Sequence, residues 1–372
     1  MKPKIIAMYL PQFHQIPEND EFWGKGFTDW VTVKNAKPLF EGHLQPRVPL
    51  NDNYYDLSIK ENVEWQCRLA HDYGIYGFGI YHYWFNNDKN LLTKPAEIMR
   101  DSKNINTKYF FVWDNCLWKR SWSNISGNDW APIEDKKQVA NNNMNVLIPY
   151  ILGKKPDWRN HYEYLKLHFA SNNYEKLGNK PVFSIIHYDK EILEMCNYWD
   201  QLARADGYDG IYFIFKRDPL RIPPRKYETY NYEPHNSGWD YSYVRIWNKF
   251  LKLCHIHKRF ATTFYEYENI WARILHNAAN NVNKNIIPGA FVNYDDSPRR
   301  GKYNSKVVLG ASPEIFKSNF QKLLILAKKQ RKDYVFLTAW NEWGEGAFLE
   351  PDQIHKFDYL TAIKESICEI NK

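Results

Sequence analysis

Residues 334–352 read YVFLTAWNEWGEGAFLEPD. The stretch has two parts. Tyr334–Trp340 is a short run of aromatic, β-branched and apolar residues, too short for a helix and of strand composition. It passes directly into a loop of Trp, Asn, Glu and Gly. The same unit recurs upstream: PQFHQIPENDEFWGKGFTDW (11–30) follows a first run, YHYWFNND (81–88) closes a second, and VWDNCLWKRSW (112–122) a third. NYEPHNSGWD (231–240) and VNYDDSPRR (292–300) do the same after the sixth and seventh.

In all, eight strand-like runs are expected: Lys4–Leu10, Ile75–Tyr83, Tyr109–Asp114, Pro181–His187, Gly210–Phe215, Lys226–Tyr232, Ile286–Tyr294 and Tyr334–Trp340. Helical patterns separate most of them. Leu57–Tyr73 is the clearest, with Ser58 and Glu61 at capping-box spacing and Gly74 at its stop. Glu191–Ala205, Pro313–Lys332 and Phe357–Ile370 are further helices. Eight strands alternating with helices, each strand ending in a polar-aromatic loop, predict a single (β/α)₈ TIM barrel over residues 1–372, its long βα loops converging on one rim. An open doubly wound sheet is the rival arrangement. No internal repeat or Pro/Gly/Ser linker divides the chain.

Composition narrows the function. The 372 residues are 44% apolar and 25% charged, and no apolar run approaches the roughly 18 residues of a membrane helix. The N-terminus has no signal-peptide pattern, and five scattered cysteines without a C-x-x-C suit a reducing compartment. The expected location is therefore the cytoplasm. A net charge of +7 hints at anionic partners, and aromatics at 17%, with 15 Trp and 27 Tyr, suggest a surface that stacks on sugar rings or bases. WKRSW (Trp118–Trp122) lacks any nucleic-acid-binding frame, and no nucleic-acid partner is expected. Phosphate-cradling motifs, a G-x-S-x-G elbow and zinc-ligand spacing are missing, and His255 and His257 would not share a helix face. No metal or cofactor is expected.

Carboxylates remain. Glu342 and Glu345 stand three apart after the last strand, close enough on a helical turn to face one cleft. Like charges held together among bulky aromatics do not ionise equally, which is the division that glycosyl chemistry requires. Asn341 is expected to bond a sugar hydroxyl and Trp340 and Trp343 to stack on ring faces, with Glu350 close by. Tyr9, Gln12, His14, Trp23, Trp30, Tyr81, His82, Trp84, Asp114, Asn115, Trp118, Asp295, Arg299 and Arg300 complete the expected substrate-binding set, because they sit at or just past strand ends. Glu233 and Asp295 are the reserve carboxylates.

The run N-E-W-x-E-G-x-x-x-E-P at Asn341–Pro351 resembles the catalytic segment of glycoside hydrolase family 99, endo-acting α-mannosidases and α-mannanases. YLPQFHQIPENDEFWGKGFTDW (9–30), KPLFEGHLQPRVP (37–49), YGIYGFGIYHYWF (73–85) and DSPRR (296–300) are similar to WbsX-type proteins of bacterial surface-polysaccharide clusters, which share the family 99-like domain and are commonly labelled glycosyltransferases. The resemblance implies a (β/α)₈ barrel without an obligatory metal. It implies Glu342 as the base on the sugar 2-hydroxyl, through an epoxide-like intermediate, and Glu345 as the acid on the leaving oxygen. Two positions depart from the pattern: Gly344 stands where the hydrolases usually have His, and Cys116 where WbsX-type proteins have Glu. The expectation is a glycosyltransferase of capsule or O-antigen (lipopolysaccharide) assembly, acting on a glycan or a lipid- or nucleotide-linked sugar. Peripheral contact with the inner membrane and no obligate protein partner complete that expectation. A family 99-type endo-hydrolase is the alternative, and a silent glycan-binding barrel requires Glu342 and Glu345 to point apart.

Overall fold

Parallel strands covered on both faces read as unbroken apolar runs, and each of the eight runs forms a strand. The computed structural model describes residues 2–119, 146–218, 220–239, 262–280, 285–302 and 305–370. The barrel strands are β1 (Lys4–Tyr9), β2 (Gly77–Asn86), β3 (Lys108–Trp113), β4 (Lys180–Ile185), β5 (Tyr212–Lys216), β6 (Glu228–Tyr230), β7 (Ile286–Ile287), β8 (Gly289–Phe291) and β9 (Tyr334–Thr338). All pair in parallel, in the order β7-β6-β5-β4-β3-β2-β1-β9-β8. The first strand pairs with the last, Lys4 opposite Tyr334, which excludes the open sheet.

Closure occurs within the seventh run. Pro288 divides it, so β7 pairs with β6 and β8 with β9, and the hoop is completed through one continuous chain. Gly289 is required at this junction, because a Cβ there would collide with the Asn231 carbonyl.

Strand parity separates inside from outside. Phe110 on β3 and Tyr230 on β6 both meet Phe336 on β9, with centroids 5.8 and 4.8 Å apart. These strands are not neighbours, so the rings meet through the barrel interior. Tyr9, Phe78, His82 and Trp113 have the opposite parity: Tyr9, His82 and Trp113 meet Gln66, His161 and Trp199 of the surrounding helices, and Phe78 packs on Tyr9. Those helices include α1 (Pro17–Trp23), α2 (Asp29–Lys34), α3 (Lys60–Asp72), α4 (Lys94–Asp101), α5 (Lys155–Phe169) and α6 (Lys190–Ala205). They continue with α7 (Tyr267–Asn280), α8 (Ser297–Arg300), α9 (Pro313–Lys329) and α10 (Asp358–Glu369).

One helix start differs from expectation. The cap of α3 is Ile59, and no Ser58–Glu61 capping box forms, because the Ser58 amide and hydroxyl both donate to Asp56 Oδ1 at 2.7 and 2.6 Å. The turn before the helix uses Ser58 first. The His255–His257 pair and residues 120–122 lie outside the described residues. Among the described residues no helix is long and apolar enough to cross a membrane.

Candidate active site

The C-terminal rim of the barrel opens into a cleft of about 950 Å³. Every one of the eight runs or the loop after it contributes to its wall: Gln12, Tyr81, Asp114, His187, Lys216, Tyr232, Arg299 and Glu342 come in that order from the first to the eighth. Glu345 stands beside Glu342.

The two glutamates are presented by a small hairpin in which Asn341–Glu342 pairs antiparallel with Ala347–Phe348 around a 3₁₀ turn, Trp343–Glu345. Gly346 closes the turn in the left-handed region, at φ +59°. The hairpin is fastened from beneath. Asn341 Oδ1 accepts from the Leu10 N–H at 2.7 Å and its Nδ2 donates to the Leu10 carbonyl at 3.0 Å. Trp343 stacks on Phe348, centroids 3.7 Å apart, and donates its N–H to Glu350 at 2.7 Å. Tyr55 and Gln66 also donate to the buried Glu350, each at 2.6 Å. Burial pushes the Glu350 carboxyl up to about 7 against those bonds.

Glu342 and Glu345 converge on one guanidinium. Arg299 Nη1 donates to Glu345 Oε1 at 2.8 Å, and Nη2 reaches Glu342 Oε2 at 3.2 Å and Asp29 Oδ2 at 3.2 Å. The Glu342 side chain is 5% exposed and that of Glu345 21%. Burial first, then the neighbouring Glu345 charge, raises the Glu342 carboxyl well above the usual glutamate range. In the free site the proton therefore rests on Glu342, while Glu345 lies more open to the cleft. Three carboxylates around one guanidinium keep at neutrality a proton that an isolated carboxyl would already have released well below it.

Gly344 explains how Arg299 fits. A Cβ at this position would stand 2.6 Å from Arg299 Nε and 2.8 Å from Asp29 Oδ2. The guanidinium occupies the space that a side chain at 344 requires, so glycine here and the Arg299–Asp29 pair belong together.

The remaining wall is built by tyrosines. Tyr81 and Tyr232 share a hydroxyl–hydroxyl bond of 2.8 Å, and Tyr83 and Tyr150 lie further along. Trp118 lines the cleft but is wedged edge-on between Tyr83 and Phe85. Asn115 ties the third loop to the fourth by exchanging two bonds with the His187 backbone, at 2.7 and 2.8 Å. The clamp brings Asp114, Cys116 and His187 together, their donor atoms all within 4.8 Å. This is an oxygen, sulfur and nitrogen set of the kind that can hold a zinc-like ion, although Cys116 already bonds Asp114 at 3.0 Å.

Of the expected residues, Gln12, Tyr81, Asp114, Asn115, Trp118, Arg299, Glu342 and Glu345 line the cleft. The others are corrected. Tyr9, His82 and Trp84 fall on the outward face: Tyr9 bonds Gln66, His82 bonds His161, and Trp84 stacks on His161 at 4.2 Å. Trp23, Trp30, Trp340 and Trp343 are core residues, and His14 is buried away from the cleft. Asn341 and Glu350 brace the hairpin rather than meet a sugar. Asp295 is buried behind it, accepting from His43 and Gln45 at 2.8 and 2.6 Å, while its N–H donates to the Glu345 carbonyl at 2.6 Å. Arg300 turns away to pair with Asp296 at 2.7 Å. The reserve carboxylate Glu233 accepts both the amide and hydroxyl of Ser237.

Sequence reading missed Asp29, whose only signal was its place in the first loop. It also missed His187, Lys216 and Arg221, although the strand-end rule applied to Ile186–Asp189 and Lys216–Arg221 would have found them.

Two solved structures superimpose on nearly the whole chain. The GH99 endo-alpha-mannosidase from Bacteroides thetaiotaomicron matches with a TM-score of 0.56 at 13% identity, covering 99% of this chain and 97% of that one. A glycoside hydrolase-like protein matches with a TM-score of 0.52 at 15% identity, over 98% and 94%. At these identities the likeness concerns the fold, a TIM barrel. By sequence the chain is similar to WxcX of Xanthomonas campestris pv. campestris strain B100, described as uncharacterized: 28% identity over 98% of this chain and 49% of that protein. WxcX of a second strain matches equally. The chain thus spans about half the length of the curated relatives it matches. A family model described as glycosyltransferase WbsX matches residues 5–363, and with it the whole barrel and its cleft: the chain belongs to the WbsX family.

Proposed function

We propose that this protein transfers a glycosyl group during assembly of a bacterial surface polysaccharide, capsule or O-antigen, with Glu342 and Glu345 as its base and acid. One observation carries the reading: two carboxylates of unequal burial share Arg299 at the floor of an open cleft. The acceptor or 2-hydroxyl proton passes to Glu342, whose raised proton affinity makes it the stronger base once ionised. In the active arrangement the single proton of the pair has moved from Glu342, where it rests in the free site, to the more exposed Glu345, which delivers it to the leaving oxygen. The active form carries one proton on the pair, so the rate is bell-shaped in pH: low pH protonates both carboxylates and high pH empties both. Arg299 holds the two in register and Asp29 fixes Arg299.

An endo-acting hydrolysis of an α-mannan-like glycan is the second reading, favoured by the likeness to the GH99 endo-alpha-mannosidase fold. Purified protein incubated with lipid-linked or nucleotide-linked sugars plus an acceptor glycan, and separately with α-mannan oligosaccharides, decides between them by mass spectrometry. A lengthened acceptor supports transfer, and shortened mannan with water incorporated supports hydrolysis. Neither product, with glycan binding intact, would leave a binding barrel and overturn both.

A further inference from the structure

The loop after β5 has a surface unlike the rest of the described residues. Leu220 and Ile222 are each 75% exposed, more than any other large apolar side chain among the described residues. Arg221, Arg225 and Lys226 are exposed between and beside them. Asp218 is the one acid in the stretch 216–226.

The loop is held in shape. The Leu220 N–H donates to Asp218 Oδ1 at 2.9 Å, the Tyr227 N–H to the Pro224 carbonyl at 3.0 Å, and Pro223 is buried beneath. Its apolar tips are therefore presented to the outside rather than folded back. Leu220 and Arg221 also line the cleft, which places the loop at the cleft's mouth.

We propose that residues 220–226 form a membrane-docking loop, with Leu220 and Ile222 entering the headgroup region of an anionic lipid surface while Arg221, Arg225 and Lys226 contact its phosphates. Two exposed aliphatics among cations match such a surface on both counts, since apolar insertion and attraction to acidic lipid act together. The chain's net charge of +7 adds long-range attraction. Docking here would turn the cleft mouth towards the bilayer, where a lipid-carried substrate is presented. The loop would dock in this way whichever reaction the cleft performs.

The test is co-sedimentation of the intact protein with vesicles of phosphatidylcholine alone and of phosphatidylcholine containing one third phosphatidylglycerol, at low and high salt. Binding to the anionic vesicles that weakens as salt rises is expected. Leu220→Ser with Ile222→Ser should lower the partition coefficient about ten-fold or more, from the apolar surface removed from insertion. Arg221→Glu with Lys226→Glu should lower it by a similar factor. All four side chains are exposed, so thermal unfolding of both variants should match wild type. Equal binding to neutral and anionic vesicles, no vesicle binding, or full binding by either variant would overturn the proposal, the second of these pointing to a protein partner for the same loop.

Discussion

The eighth-strand loop and the third- and fourth-strand loops form different walls of the same cleft, and they are built by different means. The eighth is held by a buried ring of polar contacts: Asn341 on the Leu10 backbone, Glu350 beneath Trp343, and Asp295 on the Glu345 carbonyl. Only Glu342 and Glu345 emerge from it into the cleft. Among the described residues the third and fourth loops are tied by the Asn115 amide to the His187 backbone, and Asp114, Cys116 and His187 stay partly exposed. The most conspicuous residues of a motif are thus mostly scaffolding, and a dense motif marks where two groups must be held still.

The sharpest way to break this division is at the proposed base and acid. Glu345→Gln keeps size but cannot deliver a proton, and should cost about 10²–10⁴-fold in rate, less with a leaving group that needs no protonation. Glu342→Gln should be slow with every leaving group. Leaving-group dependence on an activated glycoside or sugar donor that wild type accepts separates the two, and near wild-type rates in both would make the pair another part of the scaffold.

The bracing ring predicts a stability effect instead. Folded Glu350 holds its proton up to about pH 7, whereas an unfolded glutamate releases it near its ordinary value of 4.5. The folded state binds more protons across that window, so this contribution to stability is complete below it and lost as pH rises through it. It amounts to roughly 3 kcal/mol at about 1.4 kcal/mol per pH unit. Glu350→Gln should reduce the slope of stability against pH by that amount, leaving the share of Glu342, as read from urea midpoints at pH 4.5 and 7.5; an unchanged slope would exclude Glu350 as a source.

Gly344→Ala joins the two regions of behaviour. The new methyl must displace Arg299 or Asp29, and a misplacement on the order of 1 Å in a catalytic group costs about 10²-fold. Full activity in this variant would mean that the Arg299 position is unimportant. The smallest effect is expected at the neighbouring arginine: Arg300→Lys should stay within about two-fold of wild-type kcat/KM, the range of substitutions away from a site. A large loss would return Arg300 to the substrate.

The fold was legible because parallel strands announce themselves as apolar runs and their loops as polar ones. The site was legible in position but not in orientation. Tyr81 and His82 were both expected in the cleft, yet adjacent strand residues face opposite sides, and Tyr81 took the inside. Tryptophans suggested a sugar platform, but Trp340 and Trp343 are large enough to fill the space beneath the rim, and tyrosines, which carry a hydroxyl to the wet side, line it instead. Arg299 and Arg300 read alike in sequence and separate only on α8, whose short turn sends one inward and the other to Asp296. Asp29 was hidden because its partner lies 270 positions away.

That last separation has a consequence for biogenesis. The acidic partner of Arg299 is made among the first 30 residues, and the glutamates it gathers appear only near residue 345. β1 must likewise wait for β9 before its outer edge is paired. A nascent chain therefore carries a first strand paired on one edge only until β9 has been made, and Asp29 without its cation until Arg299 has been. The carboxylate cluster and the closed hoop are thus completed together, over residues 334–345, and no shorter stretch from β1 onward holds Glu342 and Glu345 against Arg299.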